Sequence, residues 1–329
     1  MMIMAIQWFP GHMHATRKRL QEALAEVDVV IEVLDARIPA ASRNPLLETL
    51  RRSRQKPCLK LLNKSDLADP ERTERWRAAL QQEAGVATLA LCAHQPADVR
   101  QVIPAAQSLA PHRNHPTKPL RMMIVGIPNV GKSTLLNALL KRKAAKVGDE
   151  PAVTKAVQRY HLDGLRTIFD TPGMMWPKIE IEHDGWMLAA CHAIGRNAVR
   201  EEEVALALIT TLQEEGYAER IAKRYGLPET LITASHPETI LEAIAERRGC
   251  VARGGVIDWE RAALVFLQDF RDGRLGRVTL ETPESRTLRI ARATTGDKSD
   301  MIETASRCDE HHDAESETTD KTGSGAPKR

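Results

Sequence analysis

Branched apolar residues cluster in three short runs early in the chain, at 29–34, 58–62 and 88–91, with helical patterns between them. Runs of that length and composition predict buried strands. A polar, proline-containing stretch at 110–119 reads as a linker. A second set of strands follows at 122–125, 157–162 and 167–169, with Asp163-Gly164 as the hairpin turn between the last two. Strands alternating with helices predict an α/β fold, a mostly parallel sheet with helices on both faces. From about Asp184 helical patterns dominate, at 186–194, 202–215, 218–225, 239–248 and 258–271, and predict a small all-α domain. After about Arg292 apolar residues are too sparse to support a core, so a disordered tail is expected. The division predicted is an N-terminal segment (1–27), an α/β domain (28–183), a helical domain (184–283) and a tail (284–329).

Composition narrows the setting. The 329 residues are 42% hydrophobic and 28% charged, as in an ordinary soluble protein. No apolar run reaches the roughly 18–20 residues that span a bilayer. The N-terminus, although apolar, lacks the charged leader and cleavage site of a signal peptide. Cys58, Cys92, Cys191, Cys250 and Cys308 are scattered with no CxxC pair. That pattern argues against a disulfide framework or a zinc site and fits a reducing cytoplasm. From Gly296 onward five Lys/Arg face nine Asp/Glu, a net of −4 in a chain of net +3, which leaves +7 on the body. A basic body with an acidic tail is compatible with a polyanionic partner such as RNA, and equally with a solvated surface. Nothing in the sequence supports a membrane or DNA role.

The candidate chemistry lies at the strand ends. Gly126-Ile-Pro-Asn-Val-Gly131-Lys132-Ser133 follows an apolar strand and precedes an amphipathic helical pattern at 134–141. This is the context of a phosphate-binding loop. Its glycines let the backbone wrap phosphates, whose charge also faces a helix N-terminus. Residues Asn129, Val130, Gly131, Lys132, Ser133 and Thr134 are the candidate phosphate contacts. Lys132 should neutralise the β- and γ-phosphates, and the Ser133 hydroxyl should ligate Mg²⁺.

Asn63-Lys64-Ser65-Asp66 closes another strand. The Asp66 carboxylate can accept hydrogen bonds from the N1–H and exocyclic amine of guanine, a donor pair that adenine lacks. Asn63 can bond the base or tie neighbouring loops, while the Lys64 stem covers one ring face. Alone the four residues could form a surface turn, but beside a phosphate loop the guanine reading prevails. Asp170-Thr171-Pro172-Gly173 closes a third strand. Asp170 is placed to hold Mg²⁺ through water, and the Gly173 N–H to sense a γ-phosphate. Thr154, between these motifs, is the candidate mobile threonine that joins Mg²⁺ when GTP is bound.

Motif order is unusual. The guanine-reading NKxD comes before the phosphate loop and the DxxG, the reverse of an ordinary GTPase. Rejoining old termini and opening a new surface loop preserves strand contacts, so the same sheet can form from a circularly permuted chain. The helical domain then follows almost directly behind the segment that responds to γ-phosphate, and this connectivity suggests that hydrolysis reorients it.

With these motifs stand Ile6-Gln-Trp-Phe-Pro-Gly-His-Met13, Asp35-Ala-Arg-Ile-Pro39 followed by Arg43-Asn-Pro45, Gly254-Gly-Val-Ile-Asp258, and Asp269-Phe-Arg-Asp-Gly-Arg-Leu-Gly276. Together they resemble the circularly permuted ribosome-biogenesis GTPases of the YlqF/RbgA type, from about Ile6 to Pro283. The resemblance implies a cytoplasmic factor, monomeric off the ribosome, that binds GTP/GDP and acts late in assembly of the large ribosomal subunit on rRNA and ribosomal protein surfaces. It implies that His12 is catalytic, since Met174 stands where many GTPases carry a water-orienting Gln. The other reading of His12 is a turn cap or an RNA contact. Asn129 matches a residue that helps hold K⁺ in related potassium-activated GTPases; otherwise it stabilises its loop. Cys92-Ala93-His94 stands where the last guanine-contacting loop usually carries Ser-Ala. Arg220, Lys223, Arg224, Arg247, Arg248, Arg253, Arg271, Arg274 and Arg277 are candidate RNA-phosphate contacts. Two competing functions remain: a GTP-dependent RNA-binding scaffold or chaperone with incidental hydrolysis, and a P-loop kinase or ATPase, against which NKSD speaks.

Overall fold

The computed structural model describes residues 13–113, 115–142, 157–176, 179–195 and 198–294, with side chains from Leu20. His12, Thr154, Cys308 and the tail beyond 294 lie outside the described residues. The described residues up to Pro283 belong to one compact unit. A second unit begins at Glu284, and its described residues, 284–294, are helical.

Strands β1 (Val29–Asp35), β2 (Cys58–Asn63), β3 (Val86–Leu91), β4 (Leu120–Val125), β5 (Gln158–Asp163) and β6 (Arg166–Asp170) form one sheet in the order β3-β2-β1-β4-β6-β5. All neighbours are parallel except β5 and β6, which form the antiparallel hairpin closed after Asp163. The crossovers are α2 (Pro45–Ser53), α3 (Pro70–Gln81), α4 (Pro96–Ser108) and α5 (Lys132–Leu140); α1 (Met13–Glu26) precedes β1.

Side-chain alternation decides the layering. Ile31, Val33, Met122, Ile124 and Ile168 face one apolar cluster with α4 and α5. Their neighbours Val30, Met123, Val125 and Phe169 face another, with α1 and α2. A sheet buried on both faces explains why its central strands read as continuous apolar runs. Helices α2, α3 and α4 each begin with Pro in the first turn, where the missing N–H costs nothing.

The later residues form α6 (Glu182–Ala190), α7 (Glu201–Glu214), α8 (Ala218–Tyr225), α9 (Glu229–Ala234), α10 (Pro237–Arg248) and α11 (Trp259–Arg271). Their apolar faces join the same cluster as α4 and α5. Helix α6 starts four residues before the apolar pattern at 186–194 and ends at Ala190, because the buried run continues past the helix into a turn where His192 has φ +64°. Helix α9 is a six-residue helix that periodicity did not reveal, and α5 starts at Lys132 rather than Thr134.

The chain then returns to the sheet. In the buried segment 278–282, Val278 N–H donates to Leu67 O (3.0 Å) and Leu280 N–H to Arg37 O (2.8 Å). Arg72 adds bonds to the Glu215 carboxylate (2.6 Å) and Thr279 O (2.8 Å), and Trp76 Nε1–H donates to Glu281 O (2.9 Å). The helical region is therefore anchored beside residues 63–69, although its connectivity enters from the other end of the site.

Candidate functional site

The loops after β2, β4 and β6 leave parallel strands at the same edge of the sheet, where ligands of open α/β folds bind. The loop after β4 is shaped by close contacts. Gly131 has φ +97°, and a Cβ there would lie 2.2 Å from Asn63 Nδ2, so only glycine fits. Asn63, 2% exposed, donates from Nδ2 to Val130 O (2.7 Å) and accepts at Oδ1 from Ala93 N–H (3.0 Å). Of the two roles open to Asn63 from sequence, it makes the loop tie here, linking the phosphate loop to the Cys92-Ala93-His94 turn. Lys64 has φ +60°, and its ammonium bonds the Asp35 carboxylate at 2.8 Å. Asp66 stays exposed at the rim of this end.

At the other end, Lys132 is the first residue of α5, buried, with its ammonium donating to Ile127 O at 2.6 Å. Burial pushes its pKa down to about 8, opposed by Asp170. Asp170 ends β6 at 1% exposure, and neither carboxylate oxygen has a hydrogen-bond partner. Burial lifts its pKa to about 6 against the pull of Lys132. A buried, unpartnered carboxylate close to the first turn of α5 is an oxygen donor of the kind Mg²⁺ takes, usually with water in between. A Cβ on Gly173 would meet Lys132 Nζ at 3.0 Å and Pro128 Cα at 3.1 Å, so the DxxG backbone lies directly on the phosphate loop. Ser133 and Thr134 are half-buried at the start of α5. Asn129, at φ +59°, donates from Nδ2 to His192 O (2.6 Å), which links this loop to the turn after α6.

Met174 packs its side chain with Leu46 and Val157 against the α1–α2 cluster. A thioether in an apolar cluster does not orient water. Its backbone is held by Asn44, whose Nδ2 donates to Met174 O (2.7 Å) while Oδ1 caps Leu46 and Leu47 N–H at the start of α2. Asn44, Asp35 and Arg37 stand in the family-resembling stretches without a role assigned from sequence. The signal available for Asn44 was an N-cap residue before Pro at the first helical position.

Among the described residues no group of His, Cys, Asp and Glu has metal-holding geometry, and no helix is long and apolar enough to cross a membrane. The four described cysteines are free and buried.

Comparison with known proteins accords with this architecture. Residues 121–235 match the family described as 50S ribosome-binding GTPase. The chain is 38% identical over 289 residues to the Ribosome biogenesis GTPase A of Bacillus pumilus, covering 86% of this chain and 100% of that protein. It is 35% identical to the mouse Mitochondrial ribosome-associated GTPase 1, over 84% of this chain and 90% of that one. A crystal structure of GNP-bound YlqF from T. maritima superposes with a TM-score of 0.57 at 28% identity, over 82% of this chain and 99% of that one. A GDP-bound structure of YlqF gives 0.58 at 27% identity, over 80% of this chain and 99% of that one. With its guanine motif ahead of its phosphate loop on a sheet of GTPase type, the chain belongs to the YlqF/RbgA family of circularly permuted ribosome-biogenesis GTPases.

Proposed function

We propose that this protein is a GTPase switch in late assembly of the large (50S) ribosomal subunit, binding GTP with Mg²⁺ and hydrolysing it to GDP and phosphate. The observation that carries the reading is the convergence of NKSD, the phosphate loop and DTPG on one sheet edge, with Asn63 bridging the first two and Lys132 beside Asp170 joining the last two. Lys132 and the backbone of residues 129–134 bind phosphates, Asp66 reads guanine, and Ser133, Thr154 and water-linked Asp170 hold Mg²⁺. Bound Mg²⁺ neutralises charge developing on the transferred phosphoryl group. Asn129 takes K⁺ through its side-chain oxygen, leaving Nδ2 on His192 O. His12 orients the attacking water, a task Met174 cannot perform.

The partner is a large-subunit precursor, engaged through rRNA and protein in the cytoplasm by a monomer. Arg220, Lys223, Arg224 and Arg274 line a cavity of about 320 Å³ with Leu275 and Gly276. Arg224, Arg248 and Arg274 share the Asp269 carboxylate and Arg274 also pairs with Asp272, so with Arg220 and Lys223 beside them cationic charge still exceeds the carboxylates that meet it there. Such a surplus suits RNA phosphates. Arg271 differs from these, since it caps the carbonyls of Ala189 and Ala190.

GTP turnover measured in K⁺ and Na⁺ buffers, with and without large subunits, tests the proposal. Strong stimulation by subunits, greater in K⁺ and lost in His12→Ala with GTP binding retained, is the expected result. No stimulation in either salt contradicts the assembly role. Full stimulated turnover in His12→Ala contradicts the catalytic assignment and favours an RNA-binding scaffold with incidental hydrolysis.

A further inference from the structure

We propose that Asp35 is a positioning residue for guanine recognition, anchoring the Lys64 ammonium so that the lysine stem is set in advance as one wall of the base site. The inference rests on residues 63–66 being the guanine-reading loop, and concerns how that loop is held.

A lysine stem is a poor wall unless something fixes its far end. Free in solvent it samples many rotamers, and ordering it on binding costs affinity. Here Lys64 Nζ lies 2.8 Å from Asp35 Oδ2, with the side chain only 24% exposed. Its backbone is equally determined, at φ +60° in the left-handed region that lysine seldom adopts. The loop on either side is fixed by Ser65 N–H on Leu91 O (3.2 Å) and Leu67 N–H on Lys64 O (2.9 Å).

Asp35 is itself held on several sides. Its Oδ1 accepts from the backbone N–H and the Nε of Arg37, both at 3.0 Å, and its Oδ2 accepts from Arg37 Nη2 at 2.8 Å. Its own N–H donates to Ser42 Oγ at 3.1 Å. Arg37, 2% exposed, stacks over the Phe270 ring of α11 at 4.9 Å, and its carbonyl receives Leu280 N–H. The carboxylate therefore occupies one place, set by the sheet, by the turn after β1 and by the returning chain. Burial opposes its charge, but Arg37 and Lys64 outweigh burial and hold its pKa well below the usual carboxylate range. Removing the charge would do more than release Lys64. It would leave two cations facing each other across a neutral side chain, which drives the exposed one, Lys64, outward into water.

The wall meets the flat face of the ring, whereas Asp66 meets its edge. Loss of the anchor should therefore weaken all nucleotides carrying a guanine-like ring by one factor, whether or not the exocyclic amine is present. This separates Asp35 from Asp66, whose effect depends on that amine.

The test is the affinity of GDP and of IDP, by displacement of fluorescent GDP, for the wild type, Asp35→Asn, Lys64→Met and the double variant, with denaturant unfolding in parallel. Met keeps an apolar stem and loses the ammonium. Asp35→Asn is expected to weaken both nucleotides about tenfold, the scale of one immobilised side chain. In the Lys64→Met background the same change should alter affinity less than twofold, while its effect on unfolding persists because Arg37 is still stranded. If the affinity losses add in the double variant, Asp35 acts through general stability and the proposal is overturned; wild-type affinity in Asp35→Asn overturns it too. Asp35→Glu, which keeps a charge beside Arg37, serves if the Asn variant does not fold, and its loss must vanish in the Lys64→Met background in the same way. A wild type that binds no guanine nucleotide instead sinks the assignment of residues 63–66.

Discussion

Two aspartates close parallel strands at the same edge of this sheet, Asp35 on β1 and Asp170 on β6, and each is 1% exposed. Their surroundings could hardly differ more. Asp35 is met by Arg37 and Lys64 and is held well below its ordinary pKa against the opposing effect of burial. Asp170 has no hydrogen-bond partner for either oxygen, and burial lifts it to about 6. The end of the site assigned to the base carries its own counter-charges. The end assigned to the phosphates has its carboxylate and its lysine both shifted toward neutrality, which is sensible where a ligand brings four or so charges and a cation with it. One end is finished by the protein, and the other is completed by what it binds.

The largest expected effect lies at the unfinished end. Lys132→Ala removes the cation assigned to the β- and γ-phosphates and should weaken GTP and GDP by about a hundredfold or more, since truncating one partner of a buried charge pair costs several kcal/mol. Calorimetry reads this directly, and a change under threefold would erase the proposed contrast between the two ends.

Asp170→Asn should act in opposite directions on stability and on metal use. A carboxyl raised from 3.8 to about 6 binds its proton more tightly in the folded protein than in the unfolded chain. Its ionisation thus penalises the nucleotide-free fold fully above pH 6, and the penalty fades as pH falls from about 6 to about 4. Removing the charge should stabilise nucleotide-free protein at pH 7 by about 2–3 kcal/mol, at 1.36 kcal/mol per pKa unit. The same variant should lose the Mg²⁺ dependence of GTP affinity. Denaturant unfolding with and without Mg²⁺-GTP checks both, and destabilisation at pH 7 would mean that Asp170 is paired in solution.

A smaller effect is expected from Asn44→Ala. Loss of the α2 cap and of the bond to Met174 O should destabilise by about 1–2 kcal/mol. Because Met174 follows Gly173 directly, GTP affinity should fall more than GDP affinity. Equal loss for both would confine Asn44 to a capping role.

Sequence pattern made most of the architecture legible, because a doubly buried parallel sheet writes its strands as continuous apolar runs. The phosphate loop, NKSD and DTPG were visible because their chemistry demands fixed residue types at short spacing. What escaped were the ties between distant segments. Arg37 to Phe270, Leu280 to Arg37 and Asn44 to Met174 depend on tertiary approach, and no local periodicity reports them. The same limit applies to the helical region. Connectivity places it just behind the DxxG, but the returning segment 278–282 fastens it to the guanine side, a tie that order along the chain does not encode. His12 and Thr154, assigned from resemblance and position, lie outside the described residues, and the turnover of His12→Ala tests the first of them.

The central claim, that the three motifs build one guanine-nucleotide site, is tested most directly by competition for bound fluorescent GDP. Unlabelled GTP and GDP should displace it in Mg²⁺ buffer, ATP should not, and Asp66→Asn should shift preference toward xanthine nucleotides, whose ring offers an acceptor where guanine offers the amine. Equal displacement by ATP and GTP, or a preference unchanged in Asp66→Asn, would contradict the account.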